Sequence, residues 1–357
     1  MKRHGLLWRD CRSRSRIGQD ADEGVSSLSA KLSIKLEIQG KGLNMNLSQE
    51  KRPLNRSRCL RSSPHYILLI VILFPVIFLH AQLPEIRNAA GLGMTVDAEE
   101  RNPALSVAVP DGPVNDRNFK ILLPEHVTVR AHGEIEAKHL YIFRPGPQGN
   151  APEWKRVGNA LEYAQGFGEI HFVARATLMD DGILFRYEFW NHSATDYDMV
   201  TAVTDPRFHT VFYDPRLERT YVHHKDGFDL LGSETPERLT MPLKDWFPVR
   251  YLASYTASVP AERVQHPGDG ITYRYKSRPV DVPMIATLSN DRAWVAASFS
   301  RDPGNVWSNP ELTCQHVDPQ VRLPHGAHAL YEIKILIFKG SLEDALEKVL
   351  EQRETLR

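Results

Sequence analysis

EIHFVARATLMDDGILFRYEFWNHS, residues 169 to 193, decides the fold class. Its two arms, Glu169–Leu178 and Ile183–Trp190, are rich in β-branched and aromatic residues, and Asp180-Asp-Gly182 lies between them as a hairpin turn. In the second arm Ile183, Phe185, Tyr187 and Phe189 share one face, while Leu184, Arg186, Glu188 and Trp190 share the other. That period of two belongs to a strand with one face turned to a core.

Outward from the hairpin the pattern recurs. Strands are predicted at Phe119–Leu123, His126–Arg130, Leu140–Phe143, Arg207–Tyr213, Thr220–His223, Arg250–Ala257, Thr272–Tyr275, Met284–Leu288, Ala293–Ser300 and His328–Phe338. Turn formers such as Arg144-Pro-Gly-Pro-Gln-Gly149 separate them, and no long helices alternate with them. The expectation is an all-β chain, a large antiparallel β-sandwich with a short C-terminal helix. Ser341 caps that helix, with Asp344 three residues on, and Leu342, Ala345, Leu346, Val349 and Leu350 form its apolar stripe.

The formal charge of zero hides an asymmetry. Residues 1–81 hold 14 Lys and Arg against 6 Asp and Glu, leaving 30 basic and 38 acidic groups in residues 82–357. A mildly acidic folded part argues against nucleic acid as a partner, because binding it needs a basic footprint. Arg52, Arg56, Arg58 and Arg61 precede the 13-residue apolar run Ile67–Leu79, with Ala81 after it. This is the layout of a secretory signal, too short for the ~20 residues that span a bilayer. Left uncleaved, it would be the chain's membrane contact. Residues 1–62 then read as a disordered extension or an over-extended start, with Met45 as the alternative first residue. Residues 63–81 are the signal core and cleavage region, 82–340 the sandwich and 341–357 the helix. A secreted or periplasmic location follows. Cys314 is the single cysteine after residue 81, so stability rests on a core and not on disulfides.

No hydrolase elbow, phosphate loop, zinc-protease helix or paired C-x-x-C occurs. Polar clusters fall instead at predicted strand ends. One is Trp190-Asn191-His192-Ser193, another Thr204-Asp-Pro-Arg-Phe-His209, and a third holds Arg219, Tyr221 and His223 on one strand face. In Glu311–Val317, read as a strand, alternation puts Cys314, His316 and Asp318 on one side. Asp318 then either orients His316 for acid–base or ligand work, or the two form a satisfied polar pair where the sheet turns. Trp307, beside Asn305 and Asn309, offers a flat face for stacking, whereas Trp294 reads as core.

The segments Asp180-Asp-Gly-Ile-Leu-Phe-Arg-Tyr-Glu-Phe-Trp-Asn191 and Leu323-Pro-His-Gly-Ala-His-Ala-Leu-Tyr331 resemble the galactose-mutarotase-like supersandwich group over roughly residues 115–340. Pro324-His-Gly326 stands where the group has a Pro-Gly-type turn. The resemblance implies a supersandwich and a sugar-related role, since the group holds sugar epimerases, polysaccharide lyase and hydrolase domains, and sugar-binding modules. Mutarotase-type catalysis uses a His and a Glu in a shared cleft. His209 and His316 both answer to the His, and no Glu is assigned.

The leading expectation is a secreted carbohydrate-recognising sandwich, with or without chemistry on the sugar or polysaccharide. His316, Asp318 and His209 are the catalytic candidates, and Arg219, His223, Trp307, His192 and Asn191 the ligand-binding ones. Two alternatives stand beside it. One is a non-catalytic structural or protein-interaction domain of the cell envelope. The other is a metal-dependent enzyme in which His316 and Asp318 meet His209 or His223. No cofactor, protein partner or metal ligand is assigned from the sequence.

Overall fold

The two arms of the hairpin pair from Gly182 opposite Met179 to Asn191 opposite Ile170. The connection is therefore the two residues Asp180 and Asp181, and Gly182 already belongs to the second strand. This is one residue tighter than the sequence suggests, and the neighbouring strand is the reason. Gly182 pairs with Leu336 at φ 155°, and a Cβ there would lie 2.0 Å from the carbonyl oxygen of Ile335.

The structure is a computed structural model. It describes residues 85–97, 102–111, 117–140, 152–233, 250–255, 271–275, 279–303, 306–308 and 312–357. The expected N-terminal extension, the signal region and its cleavage point, the 144–149 turn, Asn305 and Asn309 lie outside the described residues.

Among these residues the fold is all-β and almost wholly antiparallel, with one short C-terminal helix. The largest sheet runs, in spatial order, Gly227–Leu230, Thr220–His224, Val282–Leu288, Trp294–Ser300, His328–Lys339, Gly182–Asn191, Ile170–Met179, Ala160–Phe167 and Lys155–Val157. A second sheet holds Ile86–Arg87, Gly93–Val96, Ala104–Ala108, Asn118–Leu122 and Asp205–Arg207. A third holds Val321–Leu323, Tyr197–Ala202, Val127–Ala131 and Lys138–Leu140. The smallest contains Ile271–Tyr275, Arg250–Tyr255 and Val306–Ser308, and its first two strands are parallel.

One face of the large sheet supplies Leu161, Tyr163, Phe172, Phe185, Tyr187, Phe189, Ile333 and Ile335 to the main core. Leu105, Val107, Phe119 and Ile121 of the second sheet and Val127, Val129 and Val200 of the third close over them. This is two sheets face to face over interdigitated apolar side chains. The other face of the large sheet packs Met284, Ala286, Val295, Ala297 and Phe299 against Leu342, Ala345 and Val349 of the helix Leu342–Gln352. Val282–Leu288 and Trp294–Ser300 are thus buried on both faces. Ser341 Oγ accepts from the Asp344 backbone N–H, and Asp344 Oδ2 accepts from the Ser341 N–H, closing the capping box. Leu350, counted in the apolar stripe, instead faces solvent at 56% exposure.

Two predicted strands are corrected. Arg207–Tyr213 is a strand only at Asp205–Arg207, after which the chain turns so that Phe208 and Phe212 both plug the core against Phe119. The expected strand Glu311–Val317 makes no continuous ladder over its described residues 312–317. Thr313 sits at φ 47°, and the segment is held by isolated bridges from Arg207 to Cys314 and from Trp307 to His316.

Candidate functional site

The bridge between Trp307 and His316 exchanges both backbone hydrogen bonds, at 3.1 and 3.0 Å. It therefore sets the two side chains side by side on one face. The indole stacks on the imidazole with ring centroids 3.9 Å apart and planes 7° from parallel. Alternation carries Asp318 to the same side, where its Oδ2 accepts from Trp307 Nε1 at 2.7 Å and its Oδ1 lies 3.6 Å from His316 Nδ1. Gln315 points the other way, its amide donating to Thr287 Oγ1 and Ala296 O and its carbonyl accepting from Ser298.

A second segment meets the first. Residues 205 and 207 share one side of their short strand, and Arg207 Nε donates to Asp205 Oδ2 at 2.6 Å. Arg207 Nη2 reaches on to Glu125 Oε1 at 3.1 Å. Asp205 Oδ1 lies 3.5 Å from His316 Nε2, so His316 sits between two carboxylates. Asp205, Cys314 and His316 are all 2% exposed or less, whereas the side chains of Glu125, Arg207 and Asp318 keep 31%, 23% and 13% of their surface. The cluster has a dry floor and a wet polar rim.

Charge follows this geometry. Burial works against a charged His316, but the Cys314 thiolate and Asp318 outweigh it and hold the imidazole well above its ordinary pKa. Burial, and then the Asp205 carboxylate, raise Glu125 despite the pull of His316 and Arg207. His209 is exposed, and burial of part of its ring together with the Arg207 guanidinium keeps it below the usual imidazole range. The result is a raised carboxyl, a raised imidazole and a lowered one around a single guanidinium. Such a set can grip hydroxyl groups as donors and acceptors at once.

Of the residues expected at a site, the structure brings His316, Asp318 and Trp307 together and sets His209 two residues from Arg207. The others lie elsewhere. Arg219 donates to Leu288 O and Tyr213 O beside Asp214. His223 Nδ1 contacts Asp281 Oδ1 at 2.7 Å. Asn191 is buried and ties its own turn, donating to Thr195 O and Leu323 O and accepting from Ser193. His192 is exposed in that same turn. Nor do His209 and His223 meet His316 and Asp318 as the metal alternative required; the donor atoms gathered around His316 belong to Asp205 and Cys314.

Glu125, Asp205 and Arg207 were not assigned from the sequence. Thr204–His209 stood out as a polar cluster, and an acid and an Arg two apart on an extended segment carried the signal for that pair. Nothing in the turn at Glu125 marked it. A separate groove of about 330 Å³, lined by Arg130, Asp198, Gln320, Val321 and Arg322, contains none of the expected residues.

No protein-family model matches the chain, and no curated protein matches it in sequence. Solved structures resemble it loosely. A galactose mutarotase related enzyme from Lactobacillus acidophilus is 11% identical with a TM-score of 0.42, covering 72% of this chain and 98% of its own. A galactose mutarotase-like protein from Lactobacillus casei is 12% identical with a TM-score of 0.38, covering 71% and 99%. A polysaccharide lyase is 10% identical with a TM-score of 0.38, covering 76% of this chain and 35% of its own. All three are named for sugars or polysaccharides. The likeness is loose in each case, so the functional reading rests on the site itself.

Proposed function

We propose that the protein recognises carbohydrate through the rim formed by Glu125, Arg207, Trp307 and Asp318, and that it does so outside the cytoplasm. One observation carries the reading. Three chain segments far apart in sequence converge on a half-buried indole whose edge is hydrogen bonded to a carboxylate, with a guanidinium and a second carboxylate close by. A sugar ring offers an apolar C–H face to an aromatic plane and hydroxyls to charged acceptors and donors. The basic-then-apolar run of residues 52–79 supports the location.

The test is thermal unfolding of the full chain against a panel of mono- and oligosaccharides. A ligand at a hundredfold excess over its Kd adds about 2.7 kcal/mol, a readable rise in Tm. The rise is expected for at least one sugar and should disappear in Glu125→Gln and Asp318→Asn. No rise with any sugar, or a rise unchanged in both variants, overturns the proposal.

A further inference from the structure

Beneath the rim lies a set of donors that sugar binding does not use. Asp205, Cys314 and His316 each aim one ligating atom into the same buried spot, and these atoms all lie within 4.8 Å of one another. Two buried polar atoms there lack a hydrogen bond, Asp205 Oδ1 and His316 Nδ1. Asp205 Oδ1 is the more telling. Arg207 holds the other oxygen of that carboxylate, which leaves Oδ1 turned toward His316 Nε2 at 3.5 Å, too far for a hydrogen bond. A buried carboxylate oxygen left in this way costs stability unless something else satisfies it.

We infer that Asp205, Cys314 and His316 form a binding site for a transition-metal dication of the zinc class. Bonds of about 2.0–2.3 Å to O, N and S at tetrahedral angles put neighbouring donors about 3.3–3.7 Å apart. The 3.5 Å between Asp205 Oδ1 and His316 Nε2 already has that spacing. A thiolate beside an imidazole and a carboxylate selects zinc-like ions over magnesium or calcium, which prefer all-oxygen sites. Three protein ligands leave the fourth position for water or a ligand.

The surroundings fit. A metal-binding imidazole commonly directs its second nitrogen to a carboxylate that fixes the ring. Asp318 stands on the Nδ1 side of His316, is itself held by Trp307 Nε1, and Trp307 lies flat on the ring. Charge points the same way. The Asp205 and Asp318 carboxylates flank His316 and Glu125 lies against Arg207 beside them, so acidic groups outnumber the single guanidinium and a dication offsets the excess.

The inference does not depend on the sugar reading, and its test reads metal alone. The full chain is stripped with chelator under reducing conditions and titrated with Co²⁺, then with Zn²⁺. Expected are one equivalent bound, a near-ultraviolet sulfur-to-cobalt charge-transfer band, and its loss on adding Zn²⁺. The band should persist in Cys11→Ser/Cys59→Ser, where Cys314 is the remaining thiol. It should vanish in Cys314→Ser, and the affinity should drop at least about tenfold in Asp205→Asn. Ser341→Ala, at the cap of the C-terminal helix, keeps all three donors and their supports and should keep the band, which separates loss of a ligand from general loosening. No band in the parent chain, loss of the band in Cys11→Ser/Cys59→Ser, or unchanged affinity in Asp205→Asn overturns the inference. Metal uptake without any response to sugar would leave this site standing and remove the carbohydrate reading; the reverse result would do the opposite.

Discussion

Gly182 and Trp307 show how much one side chain, or its absence, decides. A methyl group at Gly182 would meet the Ile335 carbonyl oxygen at 2.0 Å and the Leu336 Cα at 2.8 Å, and both belong to the central strand His328–Lys339. Neither atom can retreat without disturbing the largest sheet. Gly182→Ala should therefore cost more than about 2 kcal/mol, against about 1 kcal/mol for Gly133→Ala, where φ is also positive but nothing lies within 4 Å. Urea midpoints of the two variants check the contrast; equal costs would count against the close approach. Trp307→Phe keeps a ring over His316 but removes the Nε1 donor to Asp318. A loss of about 1 kcal/mol is expected, read as a lowered urea midpoint with an unchanged slope. At this scale the sequence was partly legible. His316, Asp318 and Trp307 could be picked out because alternation and flanking polar residues marked them. Glu125 could not, because its importance comes from Arg207, which is 82 residues away along the chain.

Single elements show where local rules hold and where tertiary contacts override them. The helix Leu342–Gln352 begins where its capping box begins, and Ser341→Ala should cost about 1 kcal/mol in thermal unfolding. The hairpin turn is tied to the same helix. Lys334 Nζ contacts Asp181 Oδ1 at 2.6 Å, and Gln352 Nε2 donates to Asp181 Oδ2 at 2.8 Å. Burial alone would raise the Asp181 carboxyl, yet the bonds from Lys334 and Gln352 lower it below its usual value. A carboxyl with a depressed folded pKa contributes stability that is present above its unfolded pKa of about 3.9 and is lost as pH falls through the folded value. Asp181→Asn should remove that acid-side loss. At neutral pH it should cost about 3 kcal/mol, because Lys334 stays buried without its counter-ion. Unfolding midpoints from pH 2 to 7 test both statements, and parallel curves for parent and variant would refute the pairing. The segments 207–213 and 311–317 went the other way. Both carry strand-forming residues, but the chain turns after Arg207 with Phe208 and Phe212 packed edge-on around Phe119 in the core, and Thr313 turns its chain at positive φ.

The whole molecule is organised by the large sheet, which has a core on each face. Val282–Leu288 and Trp294–Ser300 feed both cores, so damage beneath the helix should reach the sandwich. Val349→Asp places a charge at a fully buried position and should lower the global Tm and speed hydrogen exchange in Val282–Leu288, and not merely fray the C-terminus. Exchange confined to residues 342–357 would show the helix to be an appendage. By itself the sequence determined the all-β class, the central hairpin, most of the strands and the capped helix, because period-two alternation and capping are written within a few adjacent residues. Tertiary structure alone decided that Asp205, Cys314 and His316 meet, that Glu125 joins Arg207, and that Arg219, His223 and Asn191 are held in other contacts. Those outcomes depend on strand order and register between segments up to 132 residues apart, and no local pattern encodes them.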